Sequence, residues 1–224
     1  MNDLCLFETH LHTSEVSGCA RVPAREMIRK YADAGYAGVQ ITDHFLPGRY
    51  NNSRERKAFL RGYYEALDEG AKKNLVVLPS MEIRFANGLE DFLVLGMDET
   101  EIINDLPDDV CSLTPKAFHV LCQAREWLFY QAHPFRPNMR IHPASWLDGI
   151  EVHNGNPRHN SHNELAIQYA DTFGLRILAG SDAHQEEDVA AAGIMVPYSS
   201  LSSKGLVSYL SLMKTPLLHI SKSG

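Results

Sequence analysis

Leu4-Cys5-Leu6-Phe7-Glu8-Thr9-His10-Leu11-His12-Thr13 is the stretch around which the rest of the chain is read. Residues 4–8 are a short apolar run that predicts a buried strand, and residues 9–13 carry it into a polar loop. Side chains alternate across a strand, so His10 and His12 leave on the same side. Two neutral imidazoles at that spacing can bind one divalent cation, but further donors must come from elsewhere to close its coordination sphere. Candidates recur in order along the chain: Asp43-His44, Glu82, His133 and Asp182-Ala183-His184 each stand just beyond a segment that also reads as a strand.

Between these points the sequence alternates strand and helix. A helix opens near Pro23 and closes at Gly35, and residues 36–41 form the second strand. Apolar residues Phe59, Tyr63, Ala66 and Leu67 recur at helical spacing and predict one helix from about Arg54 to Lys73. Strands follow at 75–79, at 91–96 after an Asn87-Gly88 turn, at 127–132, at 149–153 and at 175–179. Thr114-Pro115 reads as a helix start, Asn163 to Phe173 as a helix ended by Gly174, and Ser202 to Leu212 as a closing helix. Such alternation predicts a mainly parallel sheet, with chemistry gathered at the carboxyl ends of its strands.

Composition limits the function classes. The 224 residues suit one domain, with 44% hydrophobic and 22% charged residues, as in ordinary globular proteins. A formal net charge of −7 argues against a broad basic face for extended nucleic acid, although bound cations could still make a local site positive. Four cysteines, Cys5, Cys19, Cys111 and Cys122, have no CxxC spacing and suit a reducing compartment. Cys19 lies close to the first motif and reads as a small loop residue. No long apolar run or leader-like start is seen, so the expected location is cytoplasmic, away from membranes.

The ordered set His10-Leu-His12-Thr, Ile-Thr-Asp43-His44, Glu82, Ala-His133-Pro and Gly-Ser-Asp182-Ala-His184 resembles the PHP (polymerase and histidinol phosphatase) superfamily from about Glu8 to His184. The resemblance implies a distorted (β/α)7 TIM-like barrel over residues 1–224, holding two to three divalent ions (zinc, manganese or iron), and usually phosphoester hydrolysis. It gives His10, His12, Glu82 and Asp182 to a first metal, Glu82 and His133 to a second, and His44 and His184 to a third. Catalytic work then falls to Glu82, Asp182 and His184, while Asp43 orients a neighbouring ligand.

Two positions depart from the family pattern. Relatives often place a third-metal ligand about six residues beyond the second histidine; Gly18 lies near that point, and Glu15 is the expected substitute. A second-metal histidine near the fourth strand is also missing, leaving Asp91, ahead of Asp98, to supply an oxygen. Arg136, Arg158 and the site-lining His153 are candidates to hold a small anionic phosphorylated substrate or nucleotide. The rival readings are an amidohydrolase-type C–N hydrolase and a non-catalytic metal-binding module. The first commonly bridges its metals with a carboxylated lysine, and no lysine ends a recognisable strand here.

Overall fold

The computed structural model describes residues 4–221. Its strands form two sheets. β1 (Leu4–Leu11), β2 (Tyr36–Ile41), β4 (Val76–Pro79), β10 (Ala192–Pro197) and β11 (Leu218–Ile220) make one, in the order β11-β10-β1-β2-β4. The other is ordered β3-β5-β6-β7-β8-β9, from β3 (His44–Phe45), β5 (Met81–Arg84), β6 (Asp91–Leu95), β7 (Leu128–Gln131), β8 (Gly149–Asn154) and β9 (Arg176–Gly180). The expected single barrel is therefore replaced by two open, mixed sheets. β10 runs antiparallel to β1, and β6 antiparallel to both β5 and β7. The antiparallel β6 follows from the Asn87-Gly88 turn, which is too short for a helical crossover.

The sheets meet along two seams. On one, Thr42-Asp43 and Ser80 interrupt what would be continuous strands, so β2 passes into β3 and β4 into β5. On the other, His12 N–H donates to the Ala183 carbonyl (2.9 Å) and Ala183 N–H to that of His10 (3.3 Å), tying the end of β1 to the segment after β9. A buried cluster fills the space between the sheets: Phe7, Leu78, Leu93, Leu128, Leu178 and Ile194 contribute from the strands. Leu206 and Leu210 of α6 (Ser203–Leu212) join the same cluster.

The helices cover the outside with apolar stripes. α1 (Ala24–Asp33) buries Ala24, Met27, Ile28 and Tyr31, an i, i+3, i+4, i+7 pattern, against the core that also holds Tyr63 and Ala66. α4 (Pro115–Arg125) begins where Thr114 Oγ1 accepts from Ala117 N–H (3.2 Å), and α5 (Asn163–Phe173) ends at Gly174, as the sequence predicts.

The expected helix from about Arg54 to Lys73 is split at Leu60 into α2 (Ser53–Phe59) and α3 (Arg61–Lys73). Its two halves serve different neighbours. Buried Arg56 in α2 donates to the carbonyls of Leu106 and Pro107 at 2.6 Å each, whereas α3 brings Gly62 against Thr13 and Asp43, where a Cβ would fall 2.0 Å from Thr13 Oγ1. No helix among the described residues is long and apolar enough to cross a membrane.

Candidate metal centre

His10 and His12 leave β1 on one side, as strand alternation requires, and their Nε2 atoms lie 3.2 Å apart. Asp182 Oδ1 is 3.4 Å from each. A tetrahedral cation with bonds of about 2.0–2.1 Å has donor-to-donor edges of about 3.3–3.4 Å, so this triangle is one face of such a polyhedron. Glu82 stands on its other side, with Oε1 3.3 Å from His10 Nε2 and Oε2 3.4 Å from His12 Nε2.

The same carboxylate reaches two more histidines: Oε1 is 3.1 Å from His133 Nε2, and Oε2 is 2.8 Å from His44 Nδ1. That last pair lacks hydrogen-bond geometry, so both atoms are buried without a partner, as two lone pairs aimed at a shared cation would be. Four groups of donors fall within 4.8 Å of one another: His10/His12/Asp182, His10/Glu82/His133, His44/Glu82/Asp91 and His12/His44/His184. The residues present therefore fit divalent cations.

Neighbouring side chains fix which nitrogen of each ring faces inward. His10 Nδ1–H donates to Glu151 Oε1 (2.9 Å), which leaves Nε2 toward the cluster. Ser17 Oγ donates to Asp43 Oδ1 (2.6 Å), so its 3.2 Å contact with His12 is an acceptance from Nδ1–H. His184 Nδ1–H donates to the Asp182 carbonyl (2.9 Å). Asp43 itself receives Thr13 N–H, Thr13 Oγ1–H and Ser17 Oγ–H, so it acts on His12 through Ser17 rather than on the adjacent His44 ring.

Charge is balanced within the buried cluster. Burial acts to lower the His10 pKa, but Glu151, Asp182 and Glu82 outweigh it and hold His10 well above the usual histidine value. Burial likewise acts to raise Glu82 and Asp182, yet the surrounding histidines keep both well below the ordinary carboxylate range. His12 goes the other way, pushed well down by burial and by His184 and His44. The metal-free cluster thus keeps its carboxylates ionised and a proton on His10, a positive charge where a cation would sit. His133 (φ 29°) and Asp182 (φ 50°) hold left-handed backbone that non-glycine residues rarely adopt, as strained functional side chains often do.

Other expected residues lie differently. The Glu15 carboxylate is drawn away to Ala24 N–H (3.0 Å) at the start of α1 and joins none of the donor groups. Asp91 reaches His44 and Glu82 while both its oxygens accept from Arg84 at 2.7 Å. Because β6 is antiparallel, its first residue, Asp91, faces the cluster, whereas Asp98 beyond its far end pairs with Glu101.

Arg136 and Arg158 both line an open pocket of about 340 Å³ over the cluster. Each is engaged by a carboxylate: Arg136 with Asp182 (2.7 Å) and Arg158 bidentately with Asp188 (2.5 Å). A bulge between Glu151 and His153 turns His153 toward Asn163, and it does not line the pocket. Cys19 does line it: partial burial would raise its thiol, but the neighbouring His184 and His44 pull it down to about 6.

Glu151 and Gly180 are supporting residues that escaped the sequence reading. Glu151, from the middle of β8, accepts from His10 Nδ1–H, from His133 N–H (2.9 Å) and from Asn154 Nδ2–H (2.9 Å). Glu151→Gln is expected to fold normally and to lower metal affinity about 10–100-fold, measured by calorimetric titration. Gly180 leaves room for His10: a Cβ there would be 2.5 Å from His10 Cβ and 3.1 Å from Glu151 Oε1. Gly180→Ala should cost about 1–3 kcal/mol in urea unfolding and weaken metal binding at the same time.

Histidines and carboxylates thus converge below an open pocket of an α/β fold, in groups that could hold metal ions. A family model described as PHP-associated matches residues 160–215, which include Asp182 and His184. No curated protein matches the chain. Among solved structures, PsfC from Pseudomonas syringae PB-5123 is 16% identical with a TM-score of 0.69, covering 99% of this chain and 93% of its own. A Bacteroides vulgatus two-domain protein, described as containing a predicted PHP-like metal-dependent phosphoesterase, is 15% identical with a TM-score of 0.66 over 97% of this chain and 65% of its own. An amidohydrolase from Chromobacterium violaceum, solved with bound sulfate and no metal, is 16% identical with a TM-score of 0.55 over 92% of this chain and 96% of its own. At these identities the structures share the fold. The family match adds a PHP-associated segment over residues 160–215.

Proposed function

We propose that the chain is a metal-dependent phosphoesterase acting on a small phosphorylated substrate or nucleotide. The observation that carries this reading is the triangle of His10, His12 and Asp182 donors, with Glu82 shared onward to His133 and His44. In this reading His10, His12, Glu82 and Asp182 hold one cation, Glu82 and His133 with Asp91 a second, and His44 and His184 a third. Zinc, manganese or iron in these places supplies Lewis acidity to a phosphoryl oxygen and brings the pKa of a water toward neutrality.

The chain's own groups do the rest. Glu151 and Ser17 keep the ring nitrogens of His10 and His12 turned inward, so donors are in place before substrate arrives. Arg136 and Arg158 stand at the pocket with their guanidinium planes fixed by Asp182 and Asp188, and their remaining N–H groups serve phosphate oxygens. A pocket of about 340 Å³ suits a small molecule over a polymer.

The test is a metal-stripped chain reloaded with manganese, zinc or iron and assayed on panels of phosphate esters and amides, with His10→Ala as control. Phosphate release that needs both the metal and His10 supports the reading. Amide hydrolysis alone would move the chain to the amidohydrolase reading, which the shared fold with such a protein favours as second. Activity equal in His10→Ala would remove the metal cluster from the reaction.

A further inference from the structure

Three arginines line the pocket over the metal centre, and Arg84 is the one left without a part. It ends β5, opposite Asp91 in the β5–β6 register, and its Nε–H and an Nη2–H donate to the two Asp91 oxygens at 2.7 Å each. Asp91 is buried while the Arg84 side chain is 33% exposed, so the pair is fixed at its foot and open at its head. Two parallel bonds lock the plane of the guanidinium, and among the described residues Nη1 has no hydrogen-bond partner, which leaves both of its hydrogens for a ligand.

Arg84 and Arg136 approach the centre from different sides. Asp91, which anchors Arg84, belongs to the His44/Glu82/Asp91 donor group, whereas Asp182, which anchors Arg136, belongs to His10/His12/Asp182. β6 and β7 separate β5 from β8, so three strand spacings, roughly 14 Å, lie between the strands that lead to Arg84 and Arg158. With each guanidinium clamped by its own carboxylate, Arg84 on one side and Arg136 with Arg158 on the other form two anion-binding walls. Charge points the same way. Glu82, Asp91 and Asp182 line the pocket beside Arg84, Arg136 and Arg158 and cancel them one for one, so the loaded pocket takes its net charge from its cations. Two divalent cations leave a positive charge there that a single phosphate dianion only half offsets.

We propose that Arg84 is a specificity-determining residue: it forms a second anion subsite across the pocket from Arg136 and Arg158, and the preferred substrate is a small phosphate monoester that carries a further anionic group, carboxylate or phosphate, away from the reacting phosphorus. A guanidinium already set in place by a buried carboxylate meets such a group with little loss of side-chain freedom. A substrate with one phosphate and a neutral remainder uses one wall and leaves Arg84 facing solvent. This rests on the phosphoesterase reading above, and the experiment separates the failure of one from that of the other.

The test is calorimetric titration of the manganese-loaded chain with phosphonates, which resist hydrolysis: propylphosphonate, and short alkylphosphonates that end in a carboxylate or in a second phosphonate. The wild-type chain is expected to bind the best doubly anionic ligand at least about tenfold more tightly than propylphosphonate, the gain of one charge-assisted pair. Whichever series binds better names the second group as carboxylate or phosphate. In Arg84→Gln the ratio should fall to near one, whereas Arg84→Lys, which keeps a cation beside Asp91, should retain the fold and part of the ratio. Chains of equal manganese content are compared, because Asp91 loses its charged partner in the glutamine variant. Propylphosphonate bound as tightly as every doubly anionic ligand, or a ratio unchanged in Arg84→Gln, overturns the second subsite while leaving the phosphoesterase reading standing. A loaded wild-type chain that binds none of the phosphonates overturns both readings.

Discussion

Glu82→Gln is expected to lower metal-dependent phosphate release by on the order of 10³-fold, because a cation's charge stabilisation is worth several kcal/mol and each 1.36 kcal/mol is a factor of ten. The substitution keeps the shape of the side chain and removes its charge. Glu82 approaches four imidazoles: Oε1 faces His10 and His133, and Oε2 faces His12 and His44. A carboxylate can give one oxygen to each of two cations, whereas an amide has one carbonyl oxygen and an NH2 group that donates hydrogen bonds. The variant therefore loses both a shared ligand and the negative charge that draws cations to the centre.

Stability gives an independent reading of the same change. Without metal, Glu82→Gln should unfold below the wild-type temperature, since the buried charge that offsets the surrounding histidines has been removed. With metal, the wild-type chain should gain about 2.7 kcal/mol at a hundredfold excess over the dissociation constant, and the variant much less. Activity within tenfold of wild type, or an undiminished metal-induced shift in melting temperature, would show that Glu82 is no shared ligand.

How much of this was legible in the sequence depended on the range of the interaction. The His10/His12 pair follows from strand alternation, and the starts and ends of α4 and α5 from Thr114-Pro115 and Gly174, all local signals. Glu15 was locally ambiguous, since an acidic residue near a motif can bind a cation or cap a helix, and the N-terminus of α1 claimed it. His153 was misplaced because the β8 bulge shifts the register by a residue, which no periodicity reveals. The division into two sheets was hidden in the interruptions at Thr42-Asp43 and Ser80 and in the antiparallel β6. Glu151 looked like any acidic residue in a strand; its part is defined by His10, 141 positions away.

Glu8 is the most consequential residue of that hidden kind, and Glu8→Ala is expected to destabilise the chain by about 3–5 kcal/mol and to abolish metal binding. Its carboxylate is fully buried and joins the first motif to the last. Oε1 accepts from the backbone N–H groups of Thr9, His10 and Ser181 at 2.9–3.0 Å, and Oε2 accepts from Tyr31 Oη–H (2.8 Å) and Ser181 Oγ–H (2.5 Å). Alanine leaves several buried donors with no acceptor, and it loosens β1 from the turn that carries Asp182.

Burial, only partly opposed by these hydrogen bonds, pushes the Glu8 pKa up to about 7 from an ordinary value of 4.5. A carboxyl raised in the folded state holds more protons there than when unfolded between those two values. Its contribution to stability is therefore fully present below pH 4.5 and is lost as pH rises through 7, a swing of about 3 kcal/mol. Glu8→Gln cannot ionise, so urea unfolding of the metal-free variant should lack this decline and lie closest to wild type at the acid end. A wild-type slope that persists in Glu8→Gln would assign the decline to another group, and a Glu8→Ala chain as stable as wild type would remove Glu8 as the tie between the two ends of the metal centre.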